Sequence, residues 1–278
     1  MSEKGNIYEK YVRKAALLMK KIDVEERGKR KYNKNDYKND LAGWLVEEVG
    51  KHARDICERC GRYLDVLKDA YLSVGKDVLV CEFTSTSRII ADVSSPFAWL
   101  IDEVGLSWDP LLDAPTIPGL KGAVRAAAEW DNPKLVEFLF GKAEKEESYF
   151  SLLTFTEAYP VDLPRDGLLL VRDVITPIYS LEKDAVEEHK AEPTPVQMIA
   201  LNKGVKFRFL IVLNSDYEKL REKACKALDS SNYPENVVEK LKAYVKSVGE
   251  EFGVGAKTPS GYGYYTLNNL TLERGVRR

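Results

Sequence analysis

The segment Gly253-Val-Gly-Ala-Lys-Thr-Pro-Ser-Gly-Tyr-Gly-Tyr-Tyr265 constrains this 278-residue chain more than any other stretch. Glycine admits backbone conformations and close approaches that a side chain forbids, and it is unfavourable inside helices and strands. With glycines at 253, 255, 261 and 263, the segment has to be a loop that ends one element and begins another. Tyr262–Leu272 then reads as a closing strand. Lys257, Thr258 and Ser260 set a cation and two hydroxyls among the glycines, a composition able to cradle phosphate oxygens. Within a strand Tyr262 and Tyr264 share a face, where they can stack on unpaired bases. The other reading is a tight turn with the tyrosines packed into a core.

Two nucleotide-binding signatures lie close to this pattern. A Walker loop needs Gly, four residues, then Gly-Lys-Ser/Thr and a helix. Here Glu251 and Ala256 occupy the two glycine positions and a strand follows, so an ATPase is not indicated. The RNA-recognition signature fits better, with Gly261-Tyr262-Gly263-Tyr264 in register and Ser260 in place of its basic residue.

Upstream, residues 7–20 and 41–72 read as helices. In the second, Leu45, Val49, Ile56, Cys60, Tyr63, Leu67 and Tyr71 form one apolar stripe at three- and four-residue spacing. Between them Glu25–Asn39 is polar and basic and reads as a loop. After Gly75 the pattern turns to strands: Val78–Ala91, Phe150–Tyr159, Leu168–Ile175 and Val205–Leu213. Ser94 to Gly119 has no period. Helices are expected from Pro118-Gly119, from a capping box Ser215-x-x-Glu218, and from Pro234 through Val248. The order β-α-β-β-(extra β)-α-β implies an α+β fold: a ferredoxin-like (RRM-like) antiparallel sheet with covering helices. An N-terminal helical region, 1–75, precedes a sheet domain, 76–278, interrupted by a proline- and acid-containing insertion at about 177–203.

Ile117-Pro-Gly-Leu-Lys-Gly-Ala-Val-Arg125 puts Lys121 and Arg125 four residues apart at a helix start, where free N–H groups favour anions. Cys57-Glu-Arg-Cys60 gives half a zinc site, with His52 as a third ligand at most, and lies inside a helix. Packed small hydrophobes explain it better, and no metal or other cofactor is expected. The other histidine, His189, lies in the acidic insertion. No Gly-x-Ser-x-Gly elbow or His-Glu-x-x-His is present, so no catalytic set stands out.

At 44% hydrophobic the chain can build a core. Its longest apolar runs, such as Phe209–Leu213, are strand-sized, and four cysteines cannot form a disulfide framework. A cytoplasmic protein is expected, with no membrane partner. The net charge of −2 does not announce nucleic-acid binding, yet residues 1–38 hold twelve Lys/Arg against six Asp/Glu, centred on Arg27, Lys29, Arg30 and Lys31.

Glu82-Phe-Thr-Ser-Thr-Ser-Arg88, Ser95-Pro-Phe, Ile117-Pro-Gly-Leu-Lys-Gly with Arg125, and the C-terminal glycine loop occur in an order that resembles the RAMP superfamily of CRISPR proteins. Over roughly residues 76–272 the arrangement is most similar to one subunit family of type III-B (Cmr) effector complexes. One departure is that Gly119 joins Leu120 directly, where the family loop often carries two more small residues. The resemblance implies a non-catalytic RNA-binding scaffold subunit of an RNA-guided, RNA-targeting antiviral complex. It implies a cap near the 3′ end of the guide RNA. The implied partners are guide and target RNA, the backbone RAMP subunit, the small helical subunit and a neighbouring RAMP cap subunit. Lys121, Arg125 and Lys257 would neutralise phosphates, Thr258 and Ser260 would add hydrogen bonds, and Tyr262 or Tyr264 would stack. Arg88, expected on the first strand, would join them. A metal-independent RAMP endoribonuclease that processes CRISPR RNA is the alternative.

Overall fold

The computed structural model describes residues 5–22, 34–91, 103–104, 106–143, 148–175, 180–182, 185–187, 196–214, 217–229 and 232–276. The Arg27–Lys31 cluster, Ser95-Pro-Phe, Ser215 and His189 lie outside them. Two helices open the chain, α1 (Ile7–Ile22) and α2 (Lys34–Ser73). The second begins earlier than the expected residue 41. Tyr37 lies one turn before Leu41 and is buried with it, so the apolar stripe extends into a stretch whose asparagines suggest a loop.

Strand β1 (Asp77–Ser85) follows, then β2 (Glu103–Val104) and the hairpin of β3 (Ser107–Asp109) with β4 (Ala114–Thr116). Next come α3 (Leu120–Asp131) and α4 (Pro133–Phe140), the latter capped by Asn132 accepting from Leu135 N–H at 3.1 Å. A small hairpin joins β5 (Lys142–Ala143) and β6 (Ser148–Tyr149). The single strand expected over 150–159 is two, β7 (Leu153–Phe155) and β8 (Tyr159–Asp162). Between them the Thr156 hydroxyl accepts from Leu210 N–H at 2.9 Å, a bond that stands in for a strand-to-strand carbonyl acceptor.

The remaining strands are β9 (Leu170–Ile175), β10 (Ser180–Glu182), β11 (Ala185–Glu187), β12 (Val196–Leu201) and β13 (Lys206–Leu213). Helices α5 (Glu218–Ala227) and α6 (Glu235–Ser247) lead to a wide helical turn, Val248–Phe252, and the closing strand β14 (Tyr265–Glu273). The N-cap position of α5 is Tyr217, whose side chain makes no capping bond. The segment expected to be inserted at 177–203 ends in structure: β12 pairs antiparallel with β9 and parallel with β2.

The main sheet has the order β14-β1-β13-β7, with β8 also on β13, and all its pairings are antiparallel. Its two faces are divided by the strand alternation. Phe83, Phe207 and Phe209 point to one side with Tyr265, whose ring lies 4.2 Å from that of Phe83. Aromatic pairs of this kind add about 0.5–1.5 kcal/mol beyond burial. The Tyr265 hydroxyl donates to the Val245 carbonyl of α6 at 2.7 Å, so α6 lies on this face. On the reverse face Glu82 and Arg208 are paired at 2.8 Å, and Arg208 reaches Asp65 of α2 at 3.1 Å. Helix α2 packs over β1, β8 and β13 from that side. The reverse face is therefore not an open platform for bases there, as the RNA-recognition signature would lead one to expect. The helices and the sheet share one hydrophobic core.

Candidate nucleic-acid interface

The glycine loop is fixed from both ends. Ala256 N–H donates to Ile90 O, Gly263 N–H to Arg88 O and Val254 N–H to Gly263 O, each at 2.9 Å. A Cβ on Gly255 would come 2.1 Å from the Ile90 carbonyl, and φ there is +84°. Gly263, with the same φ, would place its Cβ 2.1 Å from the Val254 carbonyl. Only glycine permits these approaches, which accounts for the density of that residue. Lys257 is half-buried in a left-handed conformation at φ +58° and starts the short turn Thr258–Ser260, in which Ser260 is exposed. A Cβ on Gly253 would come 2.8 Å from the Thr258 methyl.

Two expectations about this region are corrected. Tyr262 and Tyr264 precede β14 rather than forming part of it, because the Gly263 backbone is bonded to Arg88 and Val254 instead of to a strand partner. They do not share a strand face. Tyr264 is half-buried, with its amide bonded to the Ser87 hydroxyl at 2.9 Å. Arg88 likewise lies beyond β1, which ends at Ser85, after a bend in which the amides of Thr86 and Ser87 both bond to Tyr264 O.

Arg88 and Tyr262 converge on one carboxylate. Asp173 of β9 pairs with the Arg88 guanidinium at 2.7 Å and accepts from the Tyr262 hydroxyl at 2.8 Å. Burial works to raise the Asp173 pKa, but the bonds from Arg88, Tyr262 and Val174 N–H outweigh it and hold the carboxyl below its ordinary range. Burial, with the Asp173 bond second, pushes the Tyr262 hydroxyl up to about 12. The Tyr262 ring also packs on Ile90, Met198 and Ala200. This triad ties the loop to the β9–β12 sheet, a link that no local motif announces because Asp173 lies 89 residues from Tyr262.

Lys121 stands in the first turn of α3, which has no acidic residue and no side-chain cap and follows Gly119 at φ +77°. Burial and, after it, the neighbouring Arg125 lower its pKa, and among the described residues no carboxylate pairs with it. Arg125 is exposed, bonded to Glu129 at 3.0 Å and to the Gly141 carbonyl at 3.4 Å. Helix α3 packs on the Val248–Phe252 turn, which runs directly into Gly253, so the two cation-bearing segments are joined through that turn.

Cys57 and Cys60 are buried in α2, where burial pushes both thiols up to about 12. A protonated thiol in an apolar setting is a packing group, not a ready ligand. His52, half exposed, lies beside Glu48 at 3.7 Å. Among the described residues, no cluster of three His, Cys, Asp or Glu is placed to hold a metal ion, and no helix is long and apolar enough to cross a membrane.

A family model for the RAMP superfamily matches residues 111–266, from the β3–β4 hairpin through the glycine loop, and the chain belongs to that superfamily. Within it, the chain is 30% identical over 258 residues to the CRISPR system CMR subunit Cmr6 of Saccharolobus solfataricus, covering 91% of this chain and 76% of that protein. The fold is similar to a chain in the cryo-EM structure of the type III-B Cmr-beta complex bound to cognate target RNA. That match has a TM-score of 0.64 and 25% identity, over 95% of this chain and 82% of the other.

Proposed function

We propose that the chain is a non-catalytic RNA-binding scaffold subunit of a type III-B Cmr complex, acting in the cytoplasm in antiviral defence as a cap near the 3′ end of the guide RNA. The observation that carries this reading is the similarity to a Cmr6 subunit over nearly the whole chain. Its partners are then guide and target RNA, the backbone and small helical subunits, and a neighbouring RAMP cap. The strand order β14-β1-β13-β7 supports a ferredoxin-like core in residues 76–278, to which residues 1–75 add a helical layer on the reverse face.

In this role guide pairing supplies sequence specificity, and the protein grips backbone and shape. Lys121 and Arg125 meet phosphates at the start of α3. Lys257, Thr258 and Ser260 meet them from the glycine loop, with Gly253, Gly255, Gly261 and Gly263 bringing backbone close. Tyr264 offers a ring edge. Arg88 and Tyr262 act indirectly, by fixing the loop through Asp173. The endoribonuclease alternative needs a general acid and base near this loop, and the two histidines of the sequence are at 52 and 189. The test is incubation of the purified protein with repeat RNA in chelator. Intact RNA is expected, and site-specific cleavage abolished by Lys257→Ala would overturn the scaffold reading.

A further inference from the structure

The opposite edge of the main sheet carries a feature unrelated to the glycine loop. Between α5 and the Ser148–Phe150 segment lies a cleft of about 510 Å³, inside the range of built ligand sites. Phe150 is 74% exposed and Tyr217 43% exposed, and both line it. Their rings are nearly parallel, 15° apart with centroids at 5.8 Å, and both residues remain exposed at the cleft. Two exposed aromatic residues stacked at the rim of a cleft form a compact platform on which a further flat group can pack.

The surrounding charge indicates what that is. Lys223 lies 4.3 Å over the Tyr149 ring and donates to its hydroxyl at 2.9 Å, which places an ammonium at the cleft wall. Lys219 lines the same wall, beside Glu218, whose carboxylate pairs with Arg221 at 3.6 Å. Helix α5 carries Lys219, Arg221, Lys223 and Lys226 against Glu218 and Glu222, a positive element in a chain of net charge −2. Aromatic rings beside lysine ammoniums, one of them held on Tyr149, match an unpaired base with its phosphate, since every base offers a π-face and the backbone supplies the negative charge.

We propose that this cleft is a second RNA contact, which stacks an unpaired nucleobase on the Phe150–Tyr217 ring pair while Lys219 and Lys223 face its phosphates. This rests on the reading that the chain contacts RNA, but it fails separately. The test measures binding of the full chain to a short fluorescein-labelled single-stranded RNA and to its duplex, over a salt series. Phe150→Ala and Tyr217→Ala are each expected to weaken single-strand binding about tenfold, leaving duplex binding and the salt slope unchanged. Phe150→Trp should retain wild-type affinity. Unchanged affinity in both alanine variants overturns the proposal while the RNA-contact reading stands, provided that Lys121→Ala and Lys257→Ala still weaken binding. No RNA binding by the wild-type chain overturns both. Alanine variants that keep RNA affinity but drop out of the assembled complex overturn it in favour of a protein interface. Circular dichroism confirms folding, which exposed positions should tolerate.

Discussion

The two edges of the main sheet differ in how their functional groups are held. At the β14 edge almost every polar group is already engaged inside the chain: Arg88 and Tyr262 on Asp173, Tyr264 on Ser87, and the glycine backbone on Ile90, Arg88 and Val254. At the β7 edge, Phe150 and Tyr217 stand in solvent with lysines beside them. A pre-organised loop loses little freedom on meeting its ligand, so its cations can act with small entropic cost. An exposed ring pair instead gains by being covered. The first edge suits a backbone grip, the second a base.

This difference is broken most severely by Gly255→Ala. The new Cβ meets a backbone carbonyl in a left-handed conformation, so about 3 kcal/mol or more of stability should be lost. Urea unfolding measures it, and a loss below about 1 kcal/mol would mean that the loop is not rigidly seated. Phe150→Ala at the other edge should change stability by less than about 0.5 kcal/mol in the same assay.

Asp173→Asn tests the tie between loop and second sheet. At pH 7 it should cost about 1 kcal/mol, a modest figure because Arg88 is nearly half exposed. The Asp173 carboxyl has a lower pKa in the folded chain than its ordinary 3.8. Its contribution is therefore fully present above that value and is lost as the pH falls through the lower, folded one. Wild type and variant should accordingly converge in stability as the pH falls well below 3.8, and a gap that persists in strong acid would assign the effect to packing.

Lys121→Ala and Lys257→Ala should each weaken RNA binding, with little dependence on base sequence, and reduce the salt slope by roughly 0.7–0.9 for every phosphate that is no longer neutralised. An unchanged slope in both would remove these sites. An effect of opposite sign is expected from Gly61→Ala in α2, where nothing lies within 4 Å of a new Cβ. A gain of about 0.5–1 kcal/mol would set this glycine apart from those of the loop.

The burial of Leu45, Val49, Ile56 and Cys60 in α2, that of Leu120, Val124, Ala127 and Ala128 in α3, and β13 to within one residue could be read directly from spacing, because each is a local periodicity decided by one buried face; Tyr63 departs from the expected stripe, being 37% exposed while Leu64 is buried. The glycine loop was legible for the same local reason. The break at Thr156 was not, since a side-chain hydroxyl there takes the place of a backbone acceptor. Nor was the position of Tyr262 and Tyr264 outside β14, which depends on bonds from Gly263 to residues far away in sequence. Asp173 and the Phe150–Tyr217 pair leave no local signal, because their partners are brought together only by the tertiary fold.

The most direct test is ultraviolet crosslinking of the assembled complex to its guide and target RNA, followed by mass spectrometry of this subunit. We expect RNA adducts on peptides containing Lys121–Arg125 and Lys257–Tyr264. Adducts on the other subunits with none in either of these two segments would contradict the assignment of this chain as an RNA-gripping scaffold.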